Sequence, residues 1–269
     1  MINKNKIAIF LAARSGSKRL PNKHFLKINS NLRVIDLCIL RLKKAKLVNE
    51  IFLCTTKEKK DDKFRIICKQ NKIKLFRGST NNVAKRIIDC AIENSIKIIV
   101  RITADCPLID PKIIDECIKL HLKKKSDYTS NTLKLTFPDG MDVQVFSTSI
   151  LRASEKYCNS EEYFEHVTMQ FRESQNGYNI FNLPEPDYGD FGHLSVTLDT
   201  LEDLTKIEEI YIALKMSSAP IKCSQIIDYF LRLNSSLISC RKDVDELGRP
   251  IPLKFLSLDW GYVYLCYKH

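Results

Sequence analysis

The chain has 269 residues, a net charge of +11 and ten cysteines, and 44% of its residues are hydrophobic. This length is enough to bury a core in one large domain without disulfide or metal staples. No apolar run approaches the roughly 20 residues of a membrane-spanning helix, and the first apolar run is too short for a signal peptide. The cysteines form no Cys-x-x-Cys pair, so neither a structural zinc site nor a disulfide framework is expected. We therefore expect a cytoplasmic protein without a membrane partner.

The positive charge has three possible explanations: nucleic-acid binding, a small polyanionic substrate, or compositional drift toward lysine. The lysines are spread over many segments, and no basic run is interleaved with aromatic side chains that could stack on bases. We therefore expect no nucleic-acid partner.

Predicted strands and helices alternate through the first half of the chain. The apolar run Ile7–Leu11 is typical of a buried parallel strand, and Ile96–Thr103, the most apolar segment, of the central strand. Around them the patterns predict helices at 32–46, 61–71, 82–93 and 111–122, and strands at 50–55 and 73–76. This order predicts an α/β fold with a doubly wound, mostly parallel sheet and right-handed crossovers.

The regular alternation of predicted strands and helices ends after residue 125. The patterns predict strands at 127–131, 141–146, 179–182 and 194–198, and helices from Ser147 or Ser149, at 161–173, after Thr200 and at 223–233. We assign residues 1–235 to one domain, with a small α+β insertion at about 127–192, followed by a helical C-terminal tail. The extension at 236–269 has no role that the residues indicate.

Residues 12–23 follow the first strand as a basic loop. Small residues let the backbone turn and expose N–H groups to an anion: Ser15, Gly16 and Ser17. Cations surround that turn: Arg14, Lys18, Arg19 and Lys23. Arginine grips phosphate with two parallel hydrogen bonds and lysine acts as a point charge, so the loop predicts a polyphosphate site. A solvated basic turn is the alternative, but open α/β sheets bind ligands at this position after the first strand.

Two aspartates stand at predicted strand ends. Asp105 ends the central strand and should face the same crevice as the basic loop, where an acid beside phosphate commonly holds Mg²⁺. Asp199 would reach the same ion if its strand lies next to the central one. The alternatives are a turn cap for Asp105 and a helix cap for Asp199, and the residues alone leave both open. Candidates for recognising a second substrate are Asp139, Asp142, Glu165 and His166.

Seven short motifs occur in order within residues 5–235. They are ARSGSKRLPNK (13–23), FRGS (76–79), RITADCPLID (101–110), YTSNT (128–132), FPDGMDV (137–143), EHVT (165–168) and LDTLEDL (198–204). Together they resemble the cytidylyltransferases of the spore coat polysaccharide type, which are related to the enzymes that make CMP-Kdo and CMP-sialic acid.

The resemblance implies a nucleotidyltransferase fold of the GT-A-like Rossmann type, and Mg²⁺-dependent transfer of CMP from CTP to a sugar acid or similar acidic acceptor. It implies that the nucleotide is bound by Leu11, Ala12, Ala13, Arg14, Ser15, Gly16, Ser17, Arg19, Lys23, Arg77, Ser79 and Thr103. It assigns catalysis to Arg14, Lys23 and Asp105, and Mg²⁺ binding to Asp105 and Asp199. It places Asp139, Asp142 and His166 at the acceptor. A homodimer is expected because relatives are often dimeric, with the insertion serving acceptor binding or the dimer contact.

The chain departs from the family pattern at three positions. Ala104 stands where Gly is usual, Phe164 where Arg often precedes Glu-His-Val, and Leu201 where Pro is common. These departures leave the nucleotide site intact and put the identity of the acceptor in question.

The main alternative is a GT-A-type glycosyltransferase that uses a nucleotide-sugar donor. Such enzymes normally carry Asp-x-Asp at the end of the central strand, where this chain has Thr103-Ala104-Asp105. The Asp-x-Asp of this chain is at 243–245, in the tail. A non-catalytic nucleotide-binding protein is a third possibility, which tight CTP binding without turnover would favour.

Overall fold

The computed structural model describes residues 6–17, 19–157, 160–172, 177–216 and 221–233, together with four short strands between residues 241 and 263. Seven strands form the main sheet: β1 (Ile7–Ala12), β2 (Glu50–Thr56), β3 (Lys74–Gly78), β4 (Ile98–Thr103), β5 (Tyr128–Ser130), β6 (Gln144–Ser147) and β7 (Ile180–Asn182). The helices of the described residues are α1 (Val34–Leu42), α2 (Phe64–Gln70), α3 (Val83–Glu93), α4 (Pro111–Lys124), α5 (Thr148–Ser154), α6 (Glu161–His166), α7 (Met169–Arg172), α8 (Leu201–Ala213) and α9 (Cys223–Arg232).

The sheet is mostly parallel, and the strand order is β3-β2-β1-β4-β6-β5-β7. β1 pairs in parallel with β2 on one side and β4 on the other, whereas β6 runs antiparallel to both of its neighbours. The chain thus leaves β1 toward one edge of the sheet and returns to its other side at β4. This is the switch point at which doubly wound folds bind ligands. The predicted fold class is confirmed.

β1 is buried because helices cover both faces of the sheet. Ile7, Ile9 and Leu11 point into one core, which is formed with α1, α4, α8 and α9. Ala8 and Phe10 point into a second core, which is formed with α3, α5 and α7. The alternation of side chains along a strand therefore separates the helices into two layers.

The caps explain why several helices begin where they do. The Asn82 side chain accepts a hydrogen bond from the backbone N–H of Lys85 at 2.7 Å, and Asp110 accepts one from the N–H of Lys112 at 2.8 Å. Thr200 and Asp203 form a capping box at the start of α8. The predicted start of the helix at 61–71 was wrong by a turn, because residues 59–61 form a separate 3₁₀ turn before α2.

The single helix predicted at 161–173 is wrong. The chain forms two short helices, α6 and α7, and Val167 between them has φ 66 and ψ −37. A β-branched residue rarely adopts a positive φ, so this backbone is strained. Val167 is fully buried in the second core, where its apolar packing helps to compensate for the strain. His166 is consequently the last residue of a short helix and not a mid-helix residue.

The strand predicted at 194–198 is also wrong. This segment makes only one isolated bridge, between Asp139 and Ser195. Leu194, Val196 and Leu198 are buried in the first core, so their alternation reports burial and not sheet pairing. The backbone N–H of Leu198 donates to the carbonyl of Asp105 at 2.9 Å. That bond brings residue 199 to the end of β4.

A buried arginine joins the C-terminal helix to the core. Arg41 of α1 is 3% exposed, and its guanidinium donates to the carbonyls of Ile109 at 2.7 Å and Ile221 at 2.6 Å. The Asp110 side chain accepts a hydrogen bond from the N–H of Cys223 at 2.7 Å. The helix predicted at 223–233 is therefore present as α9 and belongs to the same packed unit as the sheet.

The described part of the extension 236–269 is not helical. It contains the antiparallel strand pairs β8 (Arg241–Val244) with β9 (Pro250–Pro252), and β10 (Leu256–Leu258) with β11 (Gly261–Val263). In the described residues, no helix has the length and hydrophobicity to cross a membrane.

The turn at Gly140 supports the segment that carries Asp199. Gly140 has φ +95, and a Cβ there would lie 2.9 Å from the Thr197 nitrogen and the Val196 carbonyl carbon. We expect Gly140→Ala to lower the free energy of unfolding by about 2–4 kcal/mol, through overpacking and an unfavourable φ. Gly177→Ala is the matched control, because Gly177 has φ +66 and nothing within 4 Å of the added methyl group. Urea unfolding should show a loss near 1 kcal/mol for that control, and equal losses in both variants would contradict the packing argument.

Candidate active site

A cavity of about 300 Å³ opens where the carboxyl ends of β1 and β4 meet. It is lined by the ends of both strands, by the basic loop, and by residues of α3 and α6. Its lining residues are Ala12, Ala13, Arg14, Ser17, Arg19, Lys23, His24, Val83, Arg86, Arg101, Thr103, Ala104, Asp105 and Glu165.

Lys23 binds the two strand-end aspartates at one edge of this cavity. Its ammonium donates to Asp105 Oδ2 at 2.8 Å, to Asp199 Oδ1 at 2.9 Å and to the carbonyl of Leu198 at 2.8 Å. These bonds use all the hydrogens of the ammonium group. Arg19 adds an ion pair to Asp199 Oδ2 at 3.0 Å. The structure thus brings together the basic loop, the end of β4 and the segment before α8.

The charges of this cluster stabilise one another. Burial acts to lower the pKa of Lys23, but Asp105 and Asp199 outweigh it and the pKa is raised. Burial acts to raise the pKa of Asp105, but the Lys23 ammonium outweighs it and the pKa lies well below its ordinary value. Lys23 and Asp105 therefore carry opposite charges at neutral pH, and Lys23 forms its second ion pair with Asp199.

Asp61 anchors the basic loop, and sequence reasoning missed it. Its carboxylate accepts hydrogen bonds from the backbone N–H of Ser15 at 2.8 Å and from the Thr56 hydroxyl, and it is fully buried. The Ser15 hydroxyl donates to the carbonyl of Lys60 at 3.2 Å. The Ser15 N–H, predicted to face an anion, is therefore engaged inside the protein. The acidic pair at 61–62 was the available signal, and it was interpreted as the start of a helix.

Two of the predicted nucleotide-binding residues, Arg77 and Ser79, do not line the cavity. The Arg77 guanidinium donates to the carbonyls of Thr56 at 3.0 Å and Glu58 at 2.9 Å, and pairs with Asp62 at 2.5 Å. The Ser79 hydroxyl accepts from the N–H of Asn82 at 3.1 Å. Three other predicted nucleotide-binding residues also lie outside the cavity lining. Leu11 and Ser15 are buried, and Gly16 lies beside Lys60. Ala12, Ala13 and Thr103 do line it.

Of the candidates for the second substrate, only Glu165 lines the cavity. Its carboxylate pairs with Arg14 at 3.0 Å, and both side chains are about half exposed. Asp139 accepts a hydrogen bond from the Ser195 hydroxyl at 3.2 Å and lies in the turn that supports residues 194–198. Neither Asp142 nor His166 is part of the lining. The acceptor roles of these residues stay predictions.

Three polar cavity residues escaped sequence reasoning, His24, Arg86 and Arg101, as did the apolar Val83 and Ala104. Burial lowers the pKa of His24 to about 4, so its imidazole is neutral at pH 7. Arg101 donates to the Gln144 side chain at 2.7 Å. Arg86 is 1% exposed and stands among the apolar residues of α3. A cation on the buried side of an amphipathic helix is unusual, and this was the sequence signal that could have found Arg86.

A comparison with known proteins matches residues 8–219 to the cytidylyltransferase family model. The chain is 32% identical over 241 residues to an uncharacterized protein of Methanocaldococcus jannaschii, covering 90% of this chain and 96% of that protein. It is 29% identical over 212 residues to the spore coat polysaccharide biosynthesis protein SpsF of Bacillus subtilis, covering 77% and 87%.

Solved structures agree with these relationships. A cytidylyltransferase from Leptospira borgpetersenii superposes with a TM-score of 0.79 at 31% identity, over 86% of this chain and 96% of that chain. A CMP:2-keto-3-deoxy-manno-octonic acid synthetase complexed with CTP shares the fold, with a TM-score of 0.58 at 15% identity over 78% and 99%. The fold and the cavity at its switch point define a nucleotidyltransferase. The chain belongs to the cytidylyltransferase family, which confirms the resemblance carried by its motifs.

The Lys23 cluster makes stability depend on pH. The pKa of Asp105 is lowered on folding, so its contribution is complete above about pH 4 and is lost progressively as the pH falls toward the lowered value. Lys23→Met leaves two carboxylates facing each other without their cation, and should cost about 3 kcal/mol at pH 7. At pH 3.5 the cost should be smaller, because the wild type has begun to lose this contribution and protonation relieves the repulsion in the variant.

Urea unfolding of both proteins at pH 7 and 3.5 measures this difference. Lys112→Met is the control, since Lys112 is an exposed residue paired with Glu116 on α4 and should change stability little. A cost for Lys23→Met that is the same at both pH values would contradict an electrostatic role for the cluster.

Proposed function

We propose that the protein transfers CMP from CTP to a hydroxyl of a sugar acid or similar acidic acceptor and releases pyrophosphate. The observation that carries the proposal is the meeting of a basic loop and the carboxylates of Asp105 and Asp199 at a single ammonium group beside the cavity. Family membership supports CTP as the nucleotide. The spore coat polysaccharide relative supports a place in surface polysaccharide or glycoconjugate synthesis, and we include a cytoplasmic location and a homodimer in the proposal.

The charge of the cavity fits two anionic substrates. Five cations line it, Arg14, Arg19, Lys23, Arg86 and Arg101, against two carboxylates, Asp105 and Glu165. A triphosphate would be gripped by Arg14 and Arg19, which reach the cavity from the loop, with Ser17 between them in the chain. Arg14 would exchange its exposed pairing with Glu165 for a charge-assisted contact with phosphate. Arg101 remains as a cavity cation that an acidic acceptor could contact, beyond the cations assigned to the triphosphate.

The donor chemistry at Asp105 and Asp199 fits Mg²⁺. In the described residues, no group of three or more His, Cys, Asp or Glu side chains lies close enough together to form a metal cage. Mg²⁺ favours one or two carboxylates plus phosphate oxygens, which is what these two aspartates and a triphosphate would provide. When bound, Mg²⁺ would supply positive charge that neutralises the triphosphate and lowers the pKa of the attacking hydroxyl.

The protein's own contribution to the reaction is positioning and charge. The acceptor hydroxyl attacks the α-phosphorus in line, its oxygen forms the new bond to phosphorus and its proton passes to solvent. Pyrophosphate leaves with the electrons of the broken phosphorus–oxygen bond. Lys23 and Arg14 lie where they would stabilise the departing negative charge. Because Lys23 is bonded to a backbone carbonyl as well as to Asp105 and Asp199, its ammonium is already oriented before substrates bind.

A glycosyltransferase is less favoured. The matched family is that of the cytidylyltransferases, and β4 ends in a single aspartate. Of the Asp-x-Asp at 243–245, residue 245 lies outside the described residues. Release of pyrophosphate from CTP distinguishes the two reactions.

Asp105→Asn and Asp199→Asn test the proposed site. Each removes a carboxylate that would bind the ion, so we expect turnover to fall by at least ~100-fold in a pyrophosphate-release assay with CTP and a panel of acidic sugars. Chelation of divalent ions should abolish wild-type turnover, and added Mg²⁺ should restore it. Asp228→Asn, an exposed change on α9, serves as the control and should keep normal turnover. Near-normal turnover of Asp105→Asn would refute the assignment.

A further inference from the structure

The cavity has two chemically different sides. Lys23 and His24 belong to a short helix that packs with α1 in the first core layer. Val83 and Arg86 come from α3, in the layer on the other face of the sheet. The first side carries Lys23, Asp105 and Arg19, whereas the second presents the methyl groups of Val83 beside the guanidinium groups of Arg86 and Arg101. A polyphosphate suits the first side, and a flat ring with hydrogen-bond acceptors on its edge suits the second.

Arg86 is held in place without being neutralised. Its Nε donates to the carbonyl of Ser79 at 2.8 Å and its Nη2 to the carbonyl of Thr80 at 3.2 Å. Within the described residues it forms no ion pair, and its Nη1 makes no hydrogen bond. Arg86 is 1% exposed as a residue, and its remaining donor hydrogens are available to a ligand that accepts hydrogen bonds. The residue lines the cavity, where such a ligand would bind.

Arg77 cannot serve the same purpose in this structure. Its guanidinium is used by two carbonyls and by Asp62, and it lies outside the cavity lining. The two arginines are nine positions apart on either side of the turn after β3, and only the second faces the cavity.

We propose that Arg86 determines the base specificity of the enzyme by donating hydrogen bonds to N3 and O2 of cytosine. This inference rests on the proposed function, because it takes the ligand to be a nucleoside triphosphate. A guanidinium can donate but never accept. Cytosine presents acceptors at N3 and O2, whereas uracil carries a hydrogen on N3 and would leave a buried donor facing a donor. Arg86 thereby selects CTP against UTP, with Val83 packing on the ring.

Calorimetric titration of CTP and UTP into the protein tests this without an acceptor. The wild type should bind CTP more tightly than UTP, and Arg86→Gln should reduce the ratio of the two dissociation constants by about tenfold or more, mainly by weakening CTP binding. Arg86→Lys keeps the charge but loses the planar fork, so its ratio should fall between the two. Both dissociation constants of a variant are measured on one preparation. An unfolded fraction therefore lowers the fitted number of binding sites but does not change the ratio of the CTP and UTP dissociation constants.

Arg77→Gln and Arg65→Gln complete the design. Arg65 is an exposed residue of α2, and its substitution should leave the ratio unchanged. The inference is overturned if the wild type does not prefer CTP, if Arg86→Gln keeps the wild-type ratio, or if Arg77→Gln abolishes the preference instead. If Arg86→Gln changes the ratio as expected but no acceptor yields pyrophosphate with the wild type, the proposed reaction fails and the base-reading role of Arg86 stands.

Discussion

One ammonium group joins three parts of the chain that are far apart in sequence. Lys23, Asp105 and Asp199 come from the loop after β1, the end of β4 and the segment before α8, and they meet in a partly buried cluster. Because both carboxylates contact one ammonium group, they would repel each other without the lysine, by about 3 kcal/mol for charges ~5 Å apart at an effective dielectric constant of about 20. The candidate site therefore assembles only when the whole sheet and the segment before α8 have folded. The ion pairs of Lys23 therefore contribute both to folding and to the assembly of the site.

The arginines divide into those that hold the backbone and those that face the cavity. Arg41 and Arg77 use their donors on main-chain carbonyls, and their chemistry is structural. Arg14 and Arg19 are exposed at the cavity and pair with carboxylates that a substrate can replace. Arg86 combines both properties, since carbonyls fix its orientation while it still lines the cavity. Asp61 complements them by fixing the loop that carries Arg14 and Arg19.

The sequence predicted the sheet and most of its helices because those signals are local. β1 is apolar on both faces, β4 begins with three consecutive apolar residues, and α3, α4 and α8 have side-chain caps at their first turns. It could not predict which way a side chain points once the chain has folded. Arg77 belongs to a family motif and Arg86 does not, yet only Arg86 faces the cavity. The alternation of apolar and polar residues at 194–198 correctly indicated which side chains are buried. It wrongly indicated a strand of the sheet, since a buried extended segment need not pair with other strands. The bend at Val167 depends on packing in the second core, which no local pattern encodes.

The hydrogen bonds of Arg41 and Asp110 reach residues beyond the part of the chain that the family model matches. The family match stops at residue 219, but the acceptor on Ile221 and the donor on Cys223 lie beyond it. A chain cut at residue 219 would leave the Arg41 guanidinium and the Asp110 carboxylate without these two partners. It would also expose the apolar surface on which α9 packs. The packed unit that contains the sheet thus includes α9, past the boundary that similarity alone would draw.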